Sequence, residues 1–248
     1  MMKGLSAWQN REAFKYTEQL DGPLLAWEYL RRNGAYRTAW NEQNPVELET
    51  AARDWGLLRL IDPAVDARTA IPIWQPDPPS TLRVVRASAA QVGLKLYDLH
   101  IERQPYMVRD DQGTYGTALM KSSSWRVHVA DGLAEDDRIA IAIPVDEFAR
   151  RRMAAADRFI VDLKEKSTGS RSRLSASDRA DRFHCSVLQA IDGAAAGGTH
   201  RQIAVAIYGQ RRVSSSWTPD GDLRARIRYF LKRGTALVNG DYRALIYR

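Results

Sequence analysis

Five prolines within seventeen residues restrict what the middle of this 248-residue chain can form. Proline lacks a backbone N–H and interrupts helices, so this stretch excludes a long helix. The five are Pro63, Pro72, Pro76, Pro78 and Pro79. Before them, apolar residues recur at helical spacing, and after them short β-rich runs alternate with turn signals. The sequence therefore predicts a helical start followed by a β-rich middle.

Residues 1–60 are predicted to be helical. Asp21-Gly22-Pro23 starts a helix that Asn33-Gly34 ends, and Asn44-Pro45 starts another. Residues 61–145 are predicted to form a small antiparallel sheet, which could bind a ligand, mediate assembly or space two domains. Its strands are expected at Leu82–Val85, Leu94–Tyr97, Tyr106–Val108, Trp125–Val129 and Ile139–Ile143, with a turn at Asp110–Gly113.

The helical pattern returns after the sheet. Residues 146–173 are predicted to be a helix capped by Asp146 and then a flexible basic linker, since Lys164–Arg173 contains no apolar residue. Residues 174–248 are predicted to form a helix-turn-helix-like domain. The fold class is therefore α+β, with a helical N-terminal region, a small antiparallel β middle region and a helical C-terminal domain.

Positive charge is concentrated near the end of the chain. The formal net charge is +7 overall, but residues 150–248 carry 20 Lys and Arg against 9 Asp and Glu. The preceding 149 residues have a net charge of −4. This asymmetry is typical of a nucleic-acid-binding module joined to a neutral or acidic region.

The basic region predicts three helices. The first spans about 177–192, and the second starts at a capping box formed by Thr199 and Gln202 and ends at Gly209. His200 is expected on the inner face of the second helix. The third runs from Pro219-Asp220 to Arg233-Gly234, with one apolar face and two arginine edges.

These edges predict contacts to DNA, the alternative being a solvated basic helix face. Arginine pairs with guanine or binds phosphate, and the segment Arg211–Trp217, expected to join the second and third helices, adds further donors. The candidate DNA-binding residues are Arg201, Gln202, Arg211, Arg212, Ser214, Ser215, Arg224, Arg226, Arg228, Lys232 and Arg233.

Signatures of enzymes are missing from the sequence. It has no glycine-rich nucleotide loop, and its four histidines and single cysteine, Cys185, lack the spacing of metal ligands. We therefore expect a protein without enzymatic activity, cofactor or metal. No apolar run reaches the about 20 residues that span a bilayer, and no signal-peptide pattern is present. A cytoplasmic protein without membrane contact is expected.

Two stretches resemble known regulator domains. One comprises Thr199–Ala204, Ile207-Tyr208-Gly209, Val213, Trp217, Leu223-Arg224, Ile227-Arg228, Lys232–Leu237 and Gly240–Ile246. The other comprises Tyr16, Leu24–Asn33, Tyr36-Arg37, Ala52–Leu57 and Trp74-Gln75-Pro76. Together they are similar to the RovC-like transcriptional activators of type VI secretion genes and to regulators of proteobacterial conjugative elements.

The resemblance implies an activator of transcription that binds double-stranded promoter DNA. It also implies a homo-oligomer, a hexamer in the similar proteins. The N-terminal and middle regions are expected to assemble protomers or to contact RNA polymerase. The genes controlled would be those of type VI secretion or of a mobile element. One alternative is an adaptor or antiactivator whose basic C-terminal face binds an acidic protein, and another is a structural component of a conjugation or secretion complex.

Overall fold

The chain forms two compact units. The computed structural model describes residues 7–42, 48–88, 93–102, 108–119, 124–165 and 178–247. One unit consists of Met1–Ala51, Leu60–Pro72 and Ser175–Arg248, and the other of Ala52–Arg59 and Ile73–Leu174. The N-terminal and C-terminal helices therefore share one unit, whereas the sequence analysis treated residues 1–60 and 174–248 as separate regions.

The N-terminal helices begin where local capping signals place them. Two 3-10 helices, Ala7–Gln9 and Arg11–Gln19, precede α1 (Gly22–Leu30), α2 (Gly34–Asn41) and α3 (Leu48–Arg53). The Asp21 carboxylate accepts a hydrogen bond from the backbone N–H of Leu24 at 3.0 Å. Pro23 lies in the first turn of α1, where its missing N–H costs nothing. The predicted start at Asn44-Pro45 lies outside the described residues.

The C-terminal helices follow the apolar spacing of the sequence, with one addition. They are α5 (Asp178–Ala195), α6 (His200–Tyr208), α7 (Gln210–Ser216), α8 (Asp222–Ala236) and α9 (Arg243–Ile246), with a wider π-helical turn at Leu237–Asp241. The three predicted helices are confirmed as α5, α6 and α8. The helix α7 lies in the segment that was expected only to connect the second and third helices.

Buried polar bonds join the two ends of the chain within this unit. The Arg32 guanidinium donates to both carboxylate oxygens of Asp192, at 2.7 and 2.8 Å. The Tyr29 hydroxyl lies 2.8 Å from Nδ1 of His184. Arg32 also contacts Glu28 at 2.6 Å, and the Glu28 side chain is completely buried. The α1 and α5 helices are therefore held together by charged groups that have little access to water.

The second unit is built around a mixed sheet. Its described strands are β1 (Leu82–Arg86), β2 (Ile101–Glu102), β3 (Val108–Arg109), β4 (Gly113–Leu119), β5 (Ser124–Ala130) and β6 (Ile139–Ala142). Their order is β2-β4-β5-β1-β6, and β3 also pairs with β4. The α+β class and the small, mostly antiparallel sheet are confirmed, with one exception, since β1 and β5 are parallel. The intervening strands β2 to β4 provide the long connection that a parallel pair requires.

One face of this sheet carries the core of the unit. The helix α4 (Ala149–Glu165) packs there through Ala156 and Phe159, against Leu82, Trp125 and Val127. The predicted helix after residue 146 is thus confirmed. Most of the predicted basic linker lies outside the described residues, and its first two residues extend α4.

The predicted strand at Leu94–Tyr97 is wrong. A 3-10 helix, Leu96–Leu99, occupies the region instead, and the Asp98 carboxylate accepts from the backbone N–H of Lys95 at 2.9 Å. An Asp side chain that accepts a hydrogen bond from nearby backbone favours a local turn over a strand. Here this bond has more influence than the alternation of apolar and polar residues that predicted a strand. In the predicted strand Tyr106–Val108, Tyr106 and Met107 lie outside the described residues, and Val108 begins β3.

The strand β4 was not predicted from the sequence. Its inward-facing Tyr115 donates a hydrogen bond to the buried Asp77 carboxylate at 2.7 Å, and Arg83 donates to the same carboxylate at 2.7 Å. The second face of the sheet is thus covered by a polar network. A strand that faces polar groups, and that contains Gly113 and Gly116, lacks the apolar alternation by which strands are recognised.

Candidate nucleic-acid interface

The start of α6 is fixed by the predicted capping box. The Thr199 hydroxyl accepts from the Gln202 backbone N–H at 3.3 Å, and the Gln202 side-chain oxygen accepts from the Thr199 N–H at 2.8 Å. Reciprocal bonds of this kind satisfy backbone donors at the helix start. Ile203, Ala204 and Ile207 are buried on the inner face of α6. The Gln202 side chain, a candidate DNA contact, is therefore engaged in the cap through its oxygen.

His200 does not occupy the inner face that the spacing predicted. It is exposed, as is its neighbour Arg201. His200 is the first residue of α6, and the buried stripe of the helix begins only with Ile203. Arg201 therefore has the accessible side chain that a contact to DNA requires.

The helix α7 follows α6 after a single residue. Gly209 has a φ of 87°, a backbone conformation that side chains disfavour, and it makes the sharp corner between the two helices. Val213 is buried, whereas Arg211, Arg212, Ser214 and Ser215 are exposed. The sequence analysis missed this helix because serine has a weak helix propensity and α7 contains a single apolar residue.

A shallow hollow lies at this corner. It has a volume of about 400 Å³ and is lined by Tyr208, Gly209, Arg211, Arg212 and Ser215. The Arg212 guanidinium lies 5.2 Å from the centre of the Tyr208 ring, a cation–π contact that restrains the arginine. Two guanidinium groups and a hydroxyl around an open hollow suit the oxygens of a phosphate.

The helix α8 is the predicted third helix, and it begins at Asp222, two residues later than expected. Leu223, Ile227 and Gly234 are buried on its inner face. A Cβ atom at Gly234 would lie 2.4 Å from a methyl group of Ile191 and 3.0 Å from one of Val187, so α8 lies very close to α5. This contact fixes which face of α8 points outward.

The cations of α8 fall into two classes. Arg226, Arg228 and Lys232 are exposed, and none of them forms an ion pair with a carboxylate of the described residues. Arg224 donates to the backbone oxygen of Pro219 at 3.0 Å, and Arg233 pairs with a carboxylate, that of Asp241, at 2.6 Å. The two edges exist as predicted, but Arg224 and Arg233 already have partners within the chain.

The same helices carry contacts from the N-terminal segment. The Arg11 guanidinium donates to the backbone oxygen of Ile207 at 3.2 Å, near the end of α6. Gln189 of α5 donates to the backbone oxygen of Trp8 at 3.0 Å, and the Trp8 ring packs beside Gly193 and Gly198. The N-terminal segment thus supports the inner side of the helices that present the cations.

Reactive groups elsewhere in this unit are buried. The Cys185 side chain is fully buried, and burial raises the pKa of its thiol, which makes it a weak nucleophile. His184 is buried beside Tyr29. Over the described ranges, no group of three or more His, Cys, Asp and Glu side chains is arranged to hold a metal ion. Nor does any helix in those ranges have the length and apolar character needed to cross a membrane.

A compact set of helices with an exposed cationic face is typical of DNA-binding regulators. Comparison with protein families identifies it more closely. Residues 142–247 match the DNA-binding domain of the RovC type VI secretion transcription factor, and residues 7–58 match the proteobacterial transcriptional regulator-like domain. No curated protein shows a significant match to the chain.

The chain is therefore a transcriptional regulator with a DNA-binding domain associated with type VI secretion. Both domains implied by the sequence resemblance are confirmed. The DNA-binding match begins at residue 142, so it includes α4 as well as the helices from α5 onward.

Proposed function

We propose that this regulator is a sequence-specific transcription activator that binds double-stranded promoter DNA as a homo-oligomer. Its targets would be type VI secretion or mobile-element genes. The observation that carries the proposal is the set of exposed cations on α6, α7 and α8 that have no carboxylate partner in the described part of the chain. Such cations gain binding energy when they replace the counterions of a nucleic acid.

In this proposal, α8 enters the major groove. An α-helix with its side chains is about 10–12 Å wide, which fits a groove of about 12 Å. Arg226, Arg228 and Lys232 would meet phosphates and base edges. Arg224 and Arg233 would join them only by exchanging their present partners for DNA.

The corner between α6 and α7 is proposed to hold the DNA backbone. Arg211, Arg212 and Ser215 surround the hollow, where one phosphate would receive their hydrogen bonds. Arg201, Gln202 and Ser214 are further candidates for backbone contacts on the same short helices. Contacts to phosphate position the protein, while contacts from α8 to bases would supply the sequence preference.

Assembly is proposed to use the second unit. Met153, Ile160 and Val161 of α4 are 58%, 44% and 41% exposed, an unusual exposure for three large apolar side chains on one helix. A second copy of the chain would cover them. Several linked DNA-binding units raise each other's effective concentration on a promoter and thereby strengthen binding. The assembled activator would then contact RNA polymerase in the cytoplasm.

The decisive experiment measures binding of the full chain to its own upstream DNA and to random DNA of equal length, across a salt series. We expect tighter binding to the upstream fragment and a steep salt dependence, close to −0.9 in logarithmic slope per phosphate contact. Replacing Arg226 and Arg228 together by Ala is expected to weaken binding about tenfold or more and to flatten the slope, because two contacts are lost.

Replacing Arg53 and Arg59 together by Ala is the matched control, since this variant also loses two positive charges, from exposed sites outside α6 to α8. Its affinity should stay within about twofold of wild type. If the Arg226 and Arg228 double variant binds as tightly as the control, α8 is not the reading helix. If wild type shows no preference for the upstream fragment, the alternative of an adaptor that binds an acidic protein is favoured.

A further inference from the structure

An exposed tyrosine stands in the middle of the cationic face of α8. The Tyr229 side chain is 56% exposed, although it is large and partly apolar. Arg226 lies three residues before it and Lys232 three residues after it, so both are neighbours on the helix surface. Ala225, four residues before Tyr229, is small and exposed. The ring therefore projects from the outward centre of the helix, between cations and above a side chain too short to cover it.

The Tyr229 ring is held in place from one side. Its centre lies 6.0 Å from that of Phe183 on α5 and 6.3 Å from that of Phe230, in tilted arrangements. Aromatic contacts at these distances are favourable and restrict the orientation of the ring. A side chain already restrained in the free protein loses little further entropy when it binds a partner.

The position of Tyr229 indicates a contact to bases rather than to phosphates. When a helix lies in the major groove, the cations on its edges approach the two phosphate backbones, and its outward midline approaches the base edges. An aromatic ring carries no charge that would favour phosphate. Its apolar surface matches the one apolar group that the major groove presents, the C5 methyl group of thymine.

We propose that Tyr229 determines sequence preference by packing its ring against a thymine methyl group in the major groove. The inference rests on the proposed function, since it requires α8 to be the reading helix. It adds a residue that contacts bases to the exposed face of α8, where the other candidate DNA contacts are cations. The role of the ring is separate from charge, so it should affect discrimination between sequences without changing the salt dependence of binding.

The test combines a protein change with a DNA change. Full-length wild type and Tyr229→Ala are compared on the upstream fragment, on the same fragment with uracil in place of thymine, and on random DNA. Uracil lacks only the C5 methyl group. We expect wild type to bind the uracil fragment about fivefold or more weakly than the thymine fragment, a modest effect for a good base contact. Tyr229→Ala should bind the two fragments equally.

Two further readouts separate this role from a structural one. Tyr229→Ala should bind random DNA within about twofold of wild type and with the same salt slope. Because Tyr229→Ala removes a contact with Phe183 that contributes to stability, Tyr229→Lys provides a second variant. It keeps a long exposed side chain and adds charge, so it should bind random DNA more tightly while losing the response to thymine.

Each outcome decides one claim. If wild type prefers its upstream fragment but Tyr229→Ala keeps the full response to the methyl group, the role of Tyr229 is refuted and the proposed function stands. The same holds if Tyr229→Ala weakens binding to random and upstream DNA equally. If wild type does not distinguish upstream from random DNA, the proposed function itself fails.

Discussion

Glu28 is a buried carboxylate that links α1 to the segment around Ala67. Its carboxylate accepts from Arg32 at 2.6 Å and from the backbone N–H of Ala67 at 2.7 Å, and its side chain is completely buried. Arg32 in turn binds Asp192 on α5. A buried charge is tolerated only while its partners are present, so the three residues act as one group.

Arg32→Ala is therefore expected to destabilise the fold severely. Without the guanidinium, the buried Glu28 carboxylate loses its shorter ion pair and keeps the one with Arg31 at 3.3 Å, so we expect a cost of about 3 kcal/mol in the free energy of unfolding, the lower end of the range for a broken buried ion pair. Urea unfolding followed by circular dichroism measures the loss. Arg68→Ala is the control, because Arg68 pairs with Asp66 at 2.6 Å but its side chain is 64% exposed. A similar loss in both variants would show that burial of the Arg32 group is not the cause.

The sequence could not predict which partner each individual side chain of the site has. The two arginine edges of α8 follow from helical spacing alone, and the structure has them. The pairing of Arg233 with Asp241 depends on the π-helical turn, whose Gly240 has a φ of 143°. The exposure of His200 depends on where the buried stripe of α6 begins. The pairing of Arg233 and the exposure of His200 both depend on three-dimensional geometry, which the spacing of residues along the sequence does not predict.

Whole elements were predicted where an apolar stripe and a cap agree. The start and end of α6 follow from Thr199, Gln202 and Gly209, and α8 follows from its apolar stripe. Two of the missed elements, α7 and β4, have serines, glycines or polar-facing residues where apolar ones are expected. Neighbouring elements stabilise such segments. In α7, Val213 is buried in the hydrophobic cluster that α6 and α8 form.

The close approach of α8 to α5 gives an element-scale prediction. Gly234→Ala places a methyl group 2.4 Å from the Ile191 side chain, so the helices must separate. Overpacking costs about 1–3 kcal/mol, while alanine gains about 1 kcal/mol in helix propensity. We expect a net loss of up to about 2 kcal/mol in thermal or urea unfolding. Thr235→Ala, at the exposed neighbouring position, should be neutral or slightly stabilising. A more stable Gly234→Ala variant would contradict the close packing.

At the scale of the whole molecule, the regulator combines a cationic helical unit with a sheet unit whose helix α4 exposes apolar side chains. Met153 and Ile160 are seven residues apart, so they lie on the same side of α4, two turns from each other. Their exposure supports the proposal that copies of the chain meet there. Polar substitution at an assembly surface removes the apolar contact and places a charge in it.

Replacing Met153 and Ile160 together by Glu is therefore expected to lower the mass of the particle measured by light scattering. Arg151→Glu is the control, because Arg151 is exposed on the other side of α4. It should leave the assembly unchanged. A monomeric wild-type protein, or an unchanged mass in the double variant, would refute this assembly surface.

The bonds between the ends of the chain also constrain when the protein can fold during its synthesis. Tyr29 and His184 are separated by 155 residues, and Arg32 and Asp192 by 160. At a translation rate of about 5–20 residues per second, α1 waits on the order of ten seconds for its partners on α5. Contacts so distant in sequence also slow folding, because a long loop must close before they form. The unit that carries the cationic face therefore cannot form completely until α5 has left the ribosome.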